Sequence, residues 1–197
     1  MKTYQVITAA TTYPVSLTEA KSHLKVDTTA DDTYIESIIK AATQLSEEYT
    51  NRFFIDTVVT QYASDFKEIE TLFKSKVSAV THVKYYDSNN TLQTLSATVY
   101  DEQLNYEPAQ IQLADGQSYP AFTKRNDAVR VRYTVGYGSA ASDVPEIIKQ
   151  AILLTIGNFY ENRNSVITGK TATELPQNSK WLLDTYKVQI VGWQLEN

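Results

Sequence analysis

The residues in this 197-residue chain whose types and spacing could do chemistry are its paired carboxylates: Asp31 with Asp32, Glu47 with Glu48, and Asp65 with Glu68 and Glu70. Two carboxyl groups facing one cleft can serve acid/base or metal roles. Adjacent residues on a helix do not face each other, so Asp31 and Asp32 read as helix-capping acids and Glu47 and Glu48 as a solvated face. Cysteine is absent, which excludes disulfides, thiolate zinc sites and cysteine nucleophiles. The two histidines, His23 and His82, lie far apart and have no partner at metal-ligand spacing. No Gly-x-Ser-x-Gly is present, and Gly136-Tyr137-Gly138 lacks the Lys-Ser/Thr or third glycine of a phosphate-binding loop, reading instead as a turn that ends a strand. No catalytic residue, cofactor site or metal site is expected.

Binding residues are the next candidates. Lys124, Arg125, Arg130 and Arg132 lie near the aromatic Tyr119, Phe122 and Tyr133, the interleaving that single-strand nucleic-acid binders use. Asp127 interrupts this zone, and 18 basic against 23 acidic residues leave a net charge of −5, so a solvated sheet face or a protein interface fits better. The fourteen tyrosines leave open a β-domain module that recognises a glycan or peptide, although tyrosine is also common in strands and interfaces. Trp181, Tyr186, Ile190, Val191 and Trp193 gather in the C-terminal stretch, where they dock either on the chain's own helices or on a partner.

These residues must be positioned by recognisable elements. Ser16-Leu17-Thr18-Glu19 forms a capping box, and Leu17, Ala20 and Leu24 continue it as a short amphipathic helix ending near Val26. Asp27, Asp31 and Asp32 then predict a second helix start, with Ile35, Ile38, Ile39, Ala42, Leu45 and Tyr49 along one face. From Asp56 to Gly138, β-branched and tyrosine-rich runs alternate with turns. Strands are expected at Thr57–Tyr62, Ile69–Phe73, Val77–Tyr86, Leu92–Val99, Ile111–Leu113 and Val129–Val135, with turns at Asp87–Asn90 and Ala114–Gly116. Asp143-Val144-Pro145-Glu146 reads as an N-cap and first turn for a third helix through Tyr160, whose apolar residues cover most of its circumference. Asn162 to Asn178 reads as a mobile loop, and a short helix from about Ser179 to Tyr186 leads into the tail.

The fold class is therefore α+β: a small helical bundle of about four helices, from residues 1–55 and 139–197, with an antiparallel β region inserted at 56–138. No window approaches the length of a membrane-spanning helix, and Met1–Gln5 carry no apolar signal-peptide core, so no membrane association or export by that route is expected.

The order of signals resembles the head-tail connector (adaptor) proteins of tailed bacteriophages and prophages, in the subfamily with a β insertion. The pieces that carry the resemblance are Pro14 to Val26 followed by Asp31-Asp32; Tyr49-Thr50-Asn51-Arg52; Val77 to Tyr86, continuing into Asp87; Val129 to Gly138; and Val144-Pro145-Glu146 through Leu154 to Tyr160-Glu161-Asn162-Arg163. Leu182-Leu183-Asp184-Thr185-Tyr186-Lys187 matches the family's leucine pair, tyrosine and basic residue, with Lys187 where arginine is usual. The resemblance implies a non-enzymatic protein of the virion neck, assembled in the host cytoplasm. It implies a dodecameric ring under the portal protein, joined to a stopper or tail-completion protein, with DNA passing non-specifically through the lumen. The interface with the portal or a neighbouring subunit is then expected at Tyr160, Arg163, Trp181, Tyr186, Lys187, Ile190, Val191 and Trp193. Twelve subunits of −5 would carry roughly −60, and a negatively lined channel would repel phosphates and let DNA slide.

Overall fold

The alternation of valine and tyrosine with arginine and threonine over Val129–Val135 produces a strand with one face fully buried and the other half-buried. In the computed structural model, which describes residues 3–74, 76–163 and 175–188, this strand lies at the centre of a five-stranded antiparallel sheet. The chain divides into two units: Met1–Ala10 with Asn51–Tyr137 and the segment from Val188, and Thr11–Thr50 with Gly138–Lys187.

In the first unit the strands are β1 (Thr3–Thr8), β2 (Thr57–Ala63), β3 (Val77–Tyr86), β4 (Leu92–Thr94), β5 (Tyr100–Gln103), β6 (Gln110–Leu113) and β7 (Val129–Val135). The sheet order is β1-β2-β7-β3-β4, and β5 pairs with β6 as a separate two-stranded ribbon. Its core joins Val59, Val83, Val131 and Tyr133 from the sheet to Phe66, Ile69, Leu72 and Ile111. Buried Gln61 accepts from the Phe73 amide (2.9 Å) and donates to the Thr71 carbonyl (3.1 Å), and the Tyr133 hydroxyl donates to the same amide oxygen (3.3 Å). A buried polar side chain thus finds partners on the irregular segment crossing the sheet.

Several expectations for this unit are corrected. Thr3–Thr8, assigned to the helical segment 1–55, form β1 against β2; all six residues are exposed, so no inward-outward alternation marks them as a strand. The strand expected at Ile69–Phe73 does not form. Lys67–Ile69 make a 3₁₀ turn, and the residues after it pair with β6 only through an isolated bridge, Thr71 with Gln110, while Ile69 and Leu72 are both fully buried. The run Leu92–Val99 supplies only the three residues of β4. It then buries Leu95 and turns through a Val99 amide to Ser96 carbonyl bond (3.0 Å) before β5 begins. The turn at Asp87–Asn90 forms as expected: the Asp87 carboxylate accepts from the Asn89 and Thr91 amides (both 2.9 Å), and Asn90 adopts φ 59°.

The second unit holds α1 (Leu17–Leu24), α2 (Asp32–Thr50), α3 (Glu146–Glu161) and α4 (Gln177–Asp184). The capping box is present: the Ser16 hydroxyl accepts from the Glu19 amide (3.2 Å) while the Glu19 carboxylate accepts from the Ser16 amide (2.7 Å). Ile35, Ile38, Ile39 and Ala42 of α2 pack with Ile148, Ala151, Ile152 and Ile156 of α3, and Leu183 of α4 is fully buried. The buried hydroxyls of Thr43, Ser46 and Thr50 donate to carbonyls one turn back, so none is buried without a hydrogen-bond partner.

Asp143 is not the N-cap of α3. It closes a 3₁₀ turn, Ala141–Asp143, by accepting from the Ala140 amide (3.0 Å), and α3 starts after Pro145. The circumference of α3 is also less apolar in use than in composition: Ile147 is 46% exposed. The loop expected at 162–178 lies largely outside the described residues, and its last two residues belong to α4.

Candidate assembly interface

Tyr160 and Arg163 meet Asp31 at one end of the helical unit. The Arg163 guanidinium donates to both Asp31 carboxylate oxygens (2.7 and 3.4 Å), and the Tyr160 hydroxyl donates to Asp31 Oδ2 (2.6 Å). Arg163 also lies over two rings, 4.4 Å from the centroid of Tyr34 and 4.6 Å from that of Tyr160. The Tyr34 hydroxyl donates to the Phe159 carbonyl (3.2 Å), so the start of α2 is tied to the end of α3 by two aromatic rings and an ion pair. Arg163, then Tyr160, holds the Asp31 carboxyl below its ordinary value, and Asp31 in turn raises the Tyr160 phenol. The carboxylate expected to cap α2 therefore braces the bundle, and its neighbour Asp32 accepts from Lys21 of α1 (2.6 Å). Any partner here meets an assembled cluster whose Arg163 side chain is 45% exposed.

The second group lies on and after α4. Leu183 points inward, while Trp181 is 67% exposed. The Tyr49 hydroxyl of α2 donates to Asp184 (2.5 Å), and Lys187 Nζ lies 4.4 Å from the Tyr49 ring centroid. The hydrogen bond to Asp184 raises the Tyr49 phenol above its ordinary value. Tyr186 is half-buried. Ile190, Val191 and Trp193 lie outside the described residues. The sequence could not reveal Asp31, Tyr34 and Tyr49 as partners of this region, because each pairing spans more than a hundred residues.

An apolar groove of about 850 Å³ opens on the same unit, with Tyr13, Val15, Leu17, Ile39 and Ala140 in its walls. Tyr13 there is 42% exposed. Groove, Trp181 and Ile147 are the places where this unit offers apolar surface to a partner.

In the β unit the expected basic and aromatic zone resolves into core and surface. Tyr119 stacks on Phe66 (4.3 Å, 3°), Phe122 meets Phe66 edge-on (5.4 Å, 89°) and Tyr133 is fully buried, so these rings are not platforms for bases. Arg125 forms an ion pair with Asp127 (2.5 Å) and lies 3.8 Å from the Tyr86 ring centroid. The exposed tyrosines Tyr4, Tyr13 and Tyr106 fall on β1, before α1 and between β5 and β6.

Of the carboxylates considered first, Asp31 and Asp32 brace helices and Asp65 and Glu68 serve a turn. Asp65 accepts from the Glu68 amide (2.9 Å), and Glu68 accepts from the Ser64 amide (3.1 Å). Among the described residues no group of three or more histidine, aspartate or glutamate side chains could hold a metal ion. Burial, then Lys84, Arg132 and Arg130, depresses the His82 pKa. The His23 imidazole sits against α3 where Gly157 offers no side chain, its Nε2 3.5 Å from the position a Cβ would take.

The family model for phage gp6-like head-tail connector protein matches residues 14–114. No curated protein matches the chain. Among solved structures, a chain of the neck of an empty GTA particle computed with C6 symmetry superposes with a TM-score of 0.78 at 20% identity, covering 96% of this chain and 98% of that one. A chain of the virion of a native gene transfer agent (GTA) particle gives 0.75 at 21% identity, covering 96% and 97%. A chain of the neck of a native GTA particle computed with C12 symmetry gives 0.74 at 19%, covering 96% and 98%.

Proposed function

This chain belongs to the phage gp6-like head-tail connector family, and from that premise we propose that copies of it form a ring in the neck of a phage-like particle, between portal and stopper or tail-completion protein. The structural connector role comes with the family; the ring, its partners and its place are the further reading. The observation that carries it is the superposition over 96% of the chain, both units included, on chains of particle necks computed with C6 and C12 symmetry. Twelve copies would satisfy both symmetries. The function is mechanical and non-enzymatic: subunits hold each other and their neighbours in register while DNA passes without sequence-specific contact.

A cyclic ring needs two different patches on each subunit that meet head to tail. Trp181, with Tyr186 and Lys187 beside it, supplies an anchor of the kind that dominates interface energies, and Ile190, Val191 and Trp193 extend it along the chain. Tyr160 and Arg163, braced by Asp31, present a rigid polar edge near the end of α3. These residues contact the portal or the neighbouring subunit. Mass photometry of the purified chain, alone and with its portal protein, tests the reading. A ring-sized particle is expected. A chain that stays monomeric and ignores portal at every concentration would refute it.

A further inference from the structure

Cross-strand pairs on one face of a sheet lie side by side, and like charges directly opposite each other are destabilising. On the half-buried face of β7, Arg130 pairs in register with Lys84 of β3, and Arg132 pairs with His82. Basic groups thus meet across both of these pairs. Asp127 lies 3.8 Å from Arg130, which also donates to the Tyr86 hydroxyl (2.8 Å), and Arg132 donates to Thr60 (3.2 Å). Among the described residues no carboxylate lies within ion-pair distance of Lys84 or Arg132. Burial first, and then these same cations, depresses the His82 pKa. A chain of net charge −5 with acids to spare leaves its central sheet pair cationic.

We propose that this face of the β unit, centred on Lys84 and Arg132, docks the acidic helical unit of a second copy of the chain. The occupant follows from charge complementarity. The helical unit exposes Glu19, Asp27, Glu36 and Glu48, so each copy carries both members of a head-to-tail contact. Duplex DNA fits the face less well. Non-specific binders neutralise on the order of 6–10 phosphates, and here two unpaired cations stand beside a carboxylate at the rim, Asp127. The valines on the reverse of β7 are buried, which fixes the strand that carries Arg132. The inference rests on the ring reading and assigns one of its two patches.

Self-association is measured by sedimentation velocity and mass photometry at low and high salt, for the wild type and for the Lys84→Glu/Arg132→Glu variant. Lys84→Gln serves as a milder variant should the double reversal melt early. The wild type should assemble, less strongly at high salt. Reversal should weaken assembly by about tenfold or more, and adding Glu36→Lys/Glu48→Lys to the reversed chain should restore it. Unchanged assembly in both face variants would overturn the proposal while leaving the ring reading intact. Loss that the acid reversals fail to rescue, or a variant that loses only binding to a fluorescent duplex, would overturn it too. A wild type that never assembles would sink the ring reading itself.

Discussion

Trp181→Ala is the sharpest test of whether α4 presents a surface to a partner. A tryptophan buries about 150–250 Å² when enclosed, and Trp181 is 67% exposed, so on the order of 130 Å² remains for a partner to cover. At about 25 cal/mol per Å² that area corresponds to about 3 kcal/mol, or a weakening of more than a hundredfold in the contact it makes. The part already covered within the subunit is about half as large. Alanine's better helix propensity offsets some of that loss, leaving about 1 kcal/mol and a melting shift of a few degrees in a chain of this size. Interface strength and stability therefore respond very differently. Dissociation constants for self-association and for portal, measured beside thermal melts, give the answer. A variant that assembles and binds portal like the wild type would refute the assignment of Trp181 as an anchor. A melting loss as large as that of a core truncation would refute the geometry from which the areas were taken.

Three further outcomes are expected. Because Arg163 and Tyr160 lower the Asp31 pKa, the tie stabilises the fold above the unfolded carboxylate value and is lost as pH falls through the lower folded value. Acid melts should therefore show Asp31→Asn converging on the wild type below about pH 4, with the wild type more stable at neutral pH; parallel curves would contradict this. Arg52, buried at 5%, donates to both oxygens of Glu107 (2.9 and 2.5 Å), and Arg52→Ala should cost about 1–3 kcal/mol in urea unfolding, moderated because the Glu107 side chain is 42% exposed. Gly136 has φ +154°, and a Cβ there would lie 2.6 Å from the Asp56 amide nitrogen, so Gly136→Ala should destabilise the β unit by about 2 kcal/mol or more; a neutral melt would disprove the close approach.

What was legible in the sequence was local. The Ser16–Glu19 box, the stripe of α2 and the alternation of β7 each lie within one turn or one strand, and each formed as read. Where two readings of the same residues competed, packing decided. Ile69 closed a 3₁₀ turn where a strand was expected to begin, and Asp143 closed its own 3₁₀ turn instead of opening α3. The long-range ties were illegible for a simple reason: Asp31 lies 132 residues from Arg163 and Arg52 lies 55 from Glu107, and nothing within one sequence couples such positions. Arg163 was expected at an interface through the family resemblance, and its partner within the chain, Asp31, is distant in sequence.

The braces bear on function through rigidity. In a ring each subunit's error in shape is passed to the next, so a connector gains from having its helix ends fixed before it meets a neighbour. Asp31 with Tyr160 and Arg163 fixes one end of the bundle, and Tyr49 with Asp184 fixes the other helix that bears Trp181. The Tyr49–Asp184 tie uses a short polar side chain and an aromatic ring, which lose little conformational freedom when they lock, while the longer Arg163 is held between the Tyr34 and Tyr160 rings. The apolar surface these ties leave outside, at Trp181, Ile147 and Tyr13, is then held in place before association, so its burial on a partner is not spent on ordering the subunit. Cutting a brace from its inner side, as Asp31→Asn or Tyr49→Phe would, should accordingly slow and weaken assembly although neither residue is assigned to the interface.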